Sequence, residues 1–252
     1  MPRTTRIKSS SGIYHIILRG INRQTIFEDE EDAEKFIQTL KDCKEKSGYK
    51  LYGYCLMGNH IHLLIKEEKE DLGITMRRLG ASYVYWYNWK YERSGHLFQD
   101  RYKSEVVEDE RYFLTVLRYI HQNPLKAGFV KDIKEYKWSS YSKFIEKNKI
   151  VDIDFVLSLF DKDRNKAVGN FKRFHEIRCN DNCLDIEEKR RVKDNQAIEL
   201  IRSLCHVSHC SEVQLLERNK RDKYIKIIKE YGLSTRQIAR LTGISRGIIL
   251  KV

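Results

Sequence analysis

The run from Tyr49 to Lys66 most constrains this 252-residue chain: the stretches Tyr49 to Met57 (YKLYGYCLM) and His60 to Lys66 (HIHLLIK) flank the short turn Gly58-Asn59. Two β-prone runs joined by a glycine and an asparagine specify an antiparallel hairpin. A lone hairpin is marginal in water, so it needs further strands or helices. Ile13 to Arg19 (IYHIILR) reads as a strand before it, and Lys103 to Val107 as a short strand after it. Glu28 to Lys46 reads as a helix opened by acids and ended at Gly48. Asp71 to Tyr91 reads as a long aromatic-rich helix, and Asp109 to Asn123 as a helix stopped by Pro124. Acids at a helix start complement its dipole, and proline cannot donate to the helical ladder.

The order β-α-β-β-α-β, then a further helix, is the ferredoxin-like, split βαβ arrangement. It is an α+β class with an antiparallel sheet and helices on one face. From about Lys147 strand signals fade and charged helical stretches follow. The expected division is a sheet-bearing domain over 1–146, a helical linker region over 147–212, and an all-α segment over 213–252. In the last, Leu233 to Leu250 (LSTRQIARLTGISRGIIL) reads as a helix-turn-helix, with a plain helical hairpin as the alternative. Ser234 and Ser245 suit helix caps, Ala239 a close crossing and Gly243 the turn. Arg236, Arg246 and Lys251 are then placed to face DNA.

The net charge is +12 with a pI near 9.3. Such a balance favours a polyanionic partner, nucleic acid ahead of a membrane surface. No run approaches the ~18 apolar residues of a membrane span, and the opening lacks the apolar centre of a secretion signal. A cytoplasmic protein without a membrane partner is expected. Six cysteines in a chain of this kind argue against disulfides. Cys179, Cys183, Cys205, His206, His209 and Cys210 fit no common zinc spacing well.

Residues two apart on a strand point the same way, so His60 and His62 share one sheet face, about 6–7 Å apart. Two imidazoles so placed can converge on one divalent ion. Taken alone, such a pair more often holds no metal. On the helix after the fourth strand, Tyr119 and Asn123 stand one turn apart on one face, whereas His121 faces elsewhere. Phe113, Leu117 and Ile120 form its buried stripe, and Tyr119 lies at the stripe's edge, where its ring can pack while its hydroxyl reaches out. An ordinary phenol is a weak nucleophile at neutral pH and needs a cation or base beside it. The Asn123 side-chain oxygen suits a third, hard ligand for Mg²⁺ or Mn²⁺.

Five spaced runs carry a family resemblance: Tyr14 to Gly20 (YHIILRG), Asn22-Arg23, Tyr54 to Leu64 (YCLMGNHIHLL), Gly95 to Lys103 (GHLFQDRYK) and Arg118 to Pro124 (RYIHQNP). Together they closely resemble the single-tyrosine HUH transposases (IS200-like), and within these most resemble the REP-associated tyrosine transposases. The resemblance spans about residues 10–145. It implies a metal-dependent nuclease and strand transferase acting on single-stranded DNA with hairpins. His60 and His62 match the metal ligands, Tyr119 the nucleophile that forms a 5′-phosphotyrosine link, and Asn123 the third ligand. Gly58 stands where the family often has proline. A homodimer is compatible with the resemblance, although no interface signature stands out.

Arg3, Arg6, Lys8, Arg19 and Arg23 lie in a 27-residue opening without an acid, which suits a phosphate backbone. Asn22 sits within the same motif. Arg101, Tyr102 and Lys103 place a ring between two cations, as base stacking beside phosphates requires. The run Tyr83, Tyr85, Trp86, Tyr87, Trp89 is more often core than a DNA surface at helical spacing. Two rivals to a strand-cutting enzyme remain: a domesticated, non-catalytic DNA-binding regulator, and a metal hydrolase without a covalent step. The set His60, His62, Tyr119 and Asn123 favours the enzyme, because binding alone needs none of them.

Overall fold

A computed structural model of the chain describes residues 6–146, 150–178, 183–185, 192 and 194–252. It forms two compact units, residues 1–186 and 187–252. The helical region drawn at 147–212 is therefore shared between them. Ile150, Val156, Ala167 and Phe171 are buried in the first unit's core, and Ala197, Ile201 and Cys205 in the second's.

The first unit carries strands β1 (Ile13–Arg19), β2 (Lys50–Met57), β3 (His60–Lys66) and β4 (Lys103–Val106) in the order β2-β3-β1-β4. Every pairing is antiparallel, as the ferredoxin-like reading requires. Strands β1 and β3 lie at the centre, and their middle residues are buried on both faces. Their register aligns Ile16 with Leu63, Ile17 with His62 and Arg19 with His60. One face thus carries Tyr14, Ile16, Leu18, Ile61, Leu63 and Ile65; the other carries His15, Ile17, Arg19, His60 and His62.

Helices α1 (Glu30–Ser47) and α2 (Leu72–Lys90) pack side by side in the apolar core that includes the first face. Asp29 caps α1 in a reciprocal box with Asp32, and Gly48 closes it. Helix α3 (Glu110–Lys126) covers the second face. Pro124 does not stop it. The ring removes one ladder bond inside the last turn, and the helix closes beyond it, with the Ala127 N–H donating to Asn123 O at 2.9 Å. A register shift between Leu51 and Gly53 turns consecutive residues towards α3. Tyr52 meets Phe113, with ring centroids 5.2 Å apart, and Gly53 meets Leu117. A Cβ at Gly53 would stand 2.7 Å from Leu117 Cδ1, so a larger residue there would push the leucine aside.

Helices α4 (Ile153–Ser158) and α5 (Arg164–Glu176) complete the first unit's described helices. A buried polar chain ties α5 to α3 and β2. His175 Nδ1 donates to Phe171 O, and His121 Nδ1 donates to His175 Nε2, both at 2.9 Å. The Ser140 hydroxyl donates to His121 Nε2 at 2.8 Å and accepts from the Tyr54 N–H at 2.9 Å. Gln122 Nε2 donates to the carbonyls of His175 and Ile177, each at 2.8 Å. His121 faces away from Tyr119, as expected from its spacing.

The second unit comprises α6 (Asp194–Cys205), α7 (Arg218–Glu230), α8 (Thr235–Thr242) and α9 (Arg246–Lys251). Ser234 caps α8 by accepting from the Gln237 N–H, and Gly243 turns the chain in the left-handed region at φ 76°. Ser245 precedes α9 but makes no side-chain cap, contrary to expectation. Arg240 grips both carboxylate oxygens of Asp194 at 2.7 Å, fastening α8 to α6. Among the described residues there is no cluster of three or more His, Cys, Asp or Glu side chains placed for a metal. Cys183 belongs to the first unit and Cys205 and Cys210 to the second, while Cys179 lies outside the described residues. No described helix is long and apolar enough to cross a membrane.

The α3–α5 bond chain has a pH signature. Burial pushes His175 down to about 3 and holds His121 well below its ordinary 6.5. The unfolded chain takes up these protons below about pH 6.5, and the folded chain does not until far lower. Their stabilisation is complete above that pH. It is lost as pH falls from 6.5 towards 3, at up to about 1.4 kcal/mol per pH unit for each histidine. Urea unfolding followed from neutral to mildly acidic pH is expected to show this loss, with a shallower slope in His175→Phe. An equally steep slope in the variant would assign the loss to other groups.

Candidate active site

The second sheet face and α3 bring together the residues singled out from the sequence. His62 is fully buried on β3, and its Nε2 lies 3.2 Å from Asn123 Nδ2 on α3. The Tyr119 ring meets the His62 ring edge-on, with centroids 5.7 Å apart. His60 lies next to His62 at 5.0 Å between centroids. Its Nδ1 is held by Asn59 Oδ1 at 2.7 Å. Such an outer contact is what orients a metal-ligating imidazole.

The donor set fits a divalent ion. Burial, followed by the neighbouring His15 and His60, holds His62 well below its ordinary pKa, so the ring is neutral, which is the ligand form. The Asn123 amide donates to His62 Nε2 in this structure, and rotation by a half-turn presents its oxygen instead. Two imidazole nitrogens with one amide oxygen mix the preferences of softer and harder ions, which suits Mn²⁺ at least as well as Mg²⁺.

Tyr119 departs from expectation in one respect. Its hydroxyl does not reach out: Oη is buried and makes no hydrogen bond among the described residues. Burial first, and then the Asp185 carboxylate, push the phenol far above its ordinary range. At neutral pH it is fully protonated, so attack requires that its proton be removed. One cation is already in place: Lys126 Nζ stands over the ring, 4.6 Å from its centroid. Lys126 follows Asn123 by three residues, so helical spacing could have revealed it.

The DNA-facing candidates of the first unit flank this centre. Arg19 pairs with His60 across the sheet, and Lys103 pairs with Ile17, so both share the face of His62. Asn22 and Arg23 are exposed on a tight turn with φ of 51° and 63°. That turn is fastened to the hairpin by Gly20 N–H donating to Asn59 O at 2.9 Å. Arg101 is exposed. Tyr102 is half-buried, with the Arg6 guanidinium 3.8 Å above its ring, so one stacking face is already covered. Arg3 lies outside the described residues. The aromatic run on α2 is split: Tyr83 and Tyr87 are core, whereas Tyr85 and Trp89 are 79% and 73% exposed. Arg236 and Arg246 are exposed on the second unit.

Sequence reasoning passed over His15 and Glu105. His15 is fully buried on β1, and its Nε2 lies 3.1 Å from His62 Nδ1. Glu105 on β4 pairs with His15 in the sheet. The signal was the alternation of IYHIILR, which places His15 on the same face as Arg19.

Residues 8–123 match the family described as "Transposase IS200 like", a span that ends on Asn123 and takes in His60, His62 and Tyr119. A curated relative from Haemophilus influenzae, "Putative REP-associated tyrosine transposase", is 24% identical over 124 residues, covering 44% of this chain and 70% of the relative. Among solved structures, a REP-associated tyrosine transposase bound to a REP hairpin superposes with a TM-score of 0.51 at 13% identity, over 61% of this chain and 96% of that one. A putative transposase from Deinococcus radiodurans gives 0.35 at 19% identity, over 48% and 97%.

Calorimetric titration with Mn²⁺ is expected to find one site per chain, lost in His62→Ala and weakened about tenfold or more in Asn123→Ala. An unchanged isotherm in His62→Ala would place the ion elsewhere.

Proposed function

We propose, from the match of residues 8–123 to the IS200-like transposases, that this chain is a metal-dependent nuclease and strand transferase for single-stranded DNA with hairpins. The observation that carries this reading is the convergence of Tyr119 and Asn123, from α3, on His62 of β3. A solved relative of the same fold binds a REP hairpin, which supports hairpin DNA as the substrate.

In this reading Tyr119 Oη attacks the scissile phosphorus. The new P–O bond forms as the bond to the 3′-oxygen breaks, and the proton lost by the phenol is, in net balance, the one the 3′-oxygen gains as it leaves as a hydroxyl. The product is a 5′-phosphotyrosine. Attack by that hydroxyl, or by one from another strand end, reverses the exchange and rejoins DNA without ATP. When bound, the divalent ion polarises the phosphate and holds it in line. His60, His62 and Asn123 orient it. Arg19 beside His60 draws the phosphate to the centre, and Lys126 favours the developing phenolate as well as the phosphate charge.

Asn22, Arg23, Arg101, Tyr102 and Lys103 hold the flanking strand in this reading. The second unit binds duplex DNA as a helix-turn-helix through Arg236 and Arg246. The protein works in the cytoplasm.

Incubation with hairpin-bearing single-stranded DNA and Mn²⁺ is expected to yield a denaturant-resistant protein–DNA adduct. Tyr119→Phe should abolish the adduct and still bind DNA. An adduct formed by that variant would remove Tyr119 from its role, and cleavage without any adduct would favour a hydrolase. For binding, Arg19→Ala and Arg246→Ala are each expected to lower the salt dependence of affinity by about one phosphate contact. A salt slope unchanged in Arg246→Ala would remove the second unit's arginine from the interface.

A further inference from the structure

His15 and Glu105 are absent from the chemistry above, yet they continue the line of polar atoms that begins at Asn123. Asn123 Nδ2 faces His62 Nε2 at 3.2 Å, and His62 Nδ1 faces His15 Nε2 at 3.1 Å. The two rings meet edge to edge, with centroids 5.3 Å apart and planes 23° from parallel, as an in-plane N–H···N bond requires. His15 Nδ1 then faces Glu105 Oε2 at 3.8 Å. Glu105 is itself held in place: the Tyr112 hydroxyl donates to Oε2 at 2.6 Å, and the Leu184 N–H does so at 2.9 Å.

We propose that Glu105, acting through His15, fixes which ring nitrogen of His62 presents its lone pair to the reaction centre. It is a positioning pair, and the inference rests on His62 being a metal ligand, as proposed above. Each imidazole is buried and neutral, so each carries one N–H and one lone pair. A carboxylate facing His15 Nδ1 repels a lone pair there and attracts an N–H. His15 is therefore the Nδ1–H form, with its Nε2 an acceptor. His62 must then donate from Nδ1, which leaves Nε2 bare towards Asn123. The opposite arrangement would set a lone pair of His15 against the charge of Glu105. The carboxylate thus selects the tautomer of a ring it does not touch.

The geometry also explains an orphan. His15 Nδ1 is a buried polar atom without a hydrogen bond among the described residues. At 3.8 Å the Glu105 contact is longer than a hydrogen bond, although close enough to orient a dipole. Catalytic contacts of this kind commonly tighten when the site is loaded. Burial raises the Glu105 carboxyl, but its partners His15, Tyr112 and Leu184 more than offset this and bring it below the ordinary value, so it is charged at neutral pH.

The test needs neither DNA nor activity. In ¹⁵N-labelled, metal-free protein, long-range ring ¹H–¹⁵N correlations report which nitrogen carries the proton, with His62 identified by its loss in His62→Gln. The wild type is expected to show His62 as Nδ1–H. In Glu105→Leu and His15→Leu the ring should shift towards a mixture of both tautomers, and Mn²⁺ affinity should fall by about 10–100-fold. His15→Gln, whose side-chain oxygen still accepts from His62 Nδ1–H, should recover most of both. A single Nδ1–H form with unchanged Mn²⁺ affinity in a folded Glu105→Leu would overturn the proposal, as would an Nε2–H form in the wild type. If His15→Leu fails to fold, the partly exposed Glu105 still decides the matter. A wild type that binds no Mn²⁺ would refute the metal reading instead, and the tautomer measurement alone would then judge this pair.

Discussion

The antiparallel pairing of β1 with β3 governs everything built on this sheet. It aligns Ile16 with Leu63 and Ile17 with His62 along two strands that are central and doubly covered. A slip of β3 by one residue against β1 would turn His60 and His62 into the apolar core with α1 and α2, and would turn Ile61, Leu63 and Ile65 out against Tyr119. The first change buries unpaired imidazoles among apolar side chains, and the second removes the polar partner of Asn123, so both disfavour the slipped register. The register is thereby fixed by the same side chains that make the site.

Helix α3 answers to this face from above and serves two directions at once. Tyr119 and Asn123 point to the histidines of the sheet. His121 and Gln122 point the other way, into the bonds that hold α5. Each of these buried groups finds a partner only with α5 seated as it is. The helix that carries Tyr119 is braced by the sheet on one side and by α5 on the other.

Much of this was legible in the sequence where signals are local. The hairpin announced itself through Gly58-Asn59 and the alternation of HIHLLIK, and that alternation placed His60 and His62 together. The one-turn spacing of Tyr119 and Asn123 identified a helical face. Non-local features were less accessible. His15 lies 47 positions from His62, and only the strand register brings their rings together. Pro124 read as a stop because proline breaks ladders, yet within a last turn it removes a bond the helix can spare. The region 147–212 read as a linker because its charges mask the sparse buried residues, such as Val156 and Phe171, that anchor its first part. Tyr119 Oη was expected at the surface because a helical stripe shows an edge but not what will cover it.

The gap in β2 at Gly53 has a geometric consequence for that buried phenol. Leu117 rests where a methyl group would otherwise sit, two residues before Tyr119 and one turn and a half before Asn123. The missing atom leaves room for Leu117 to settle against the strand, on the helix that also carries the amide facing the imidazole of His62. The helix above the reaction centre is seated over a side chain that is not there.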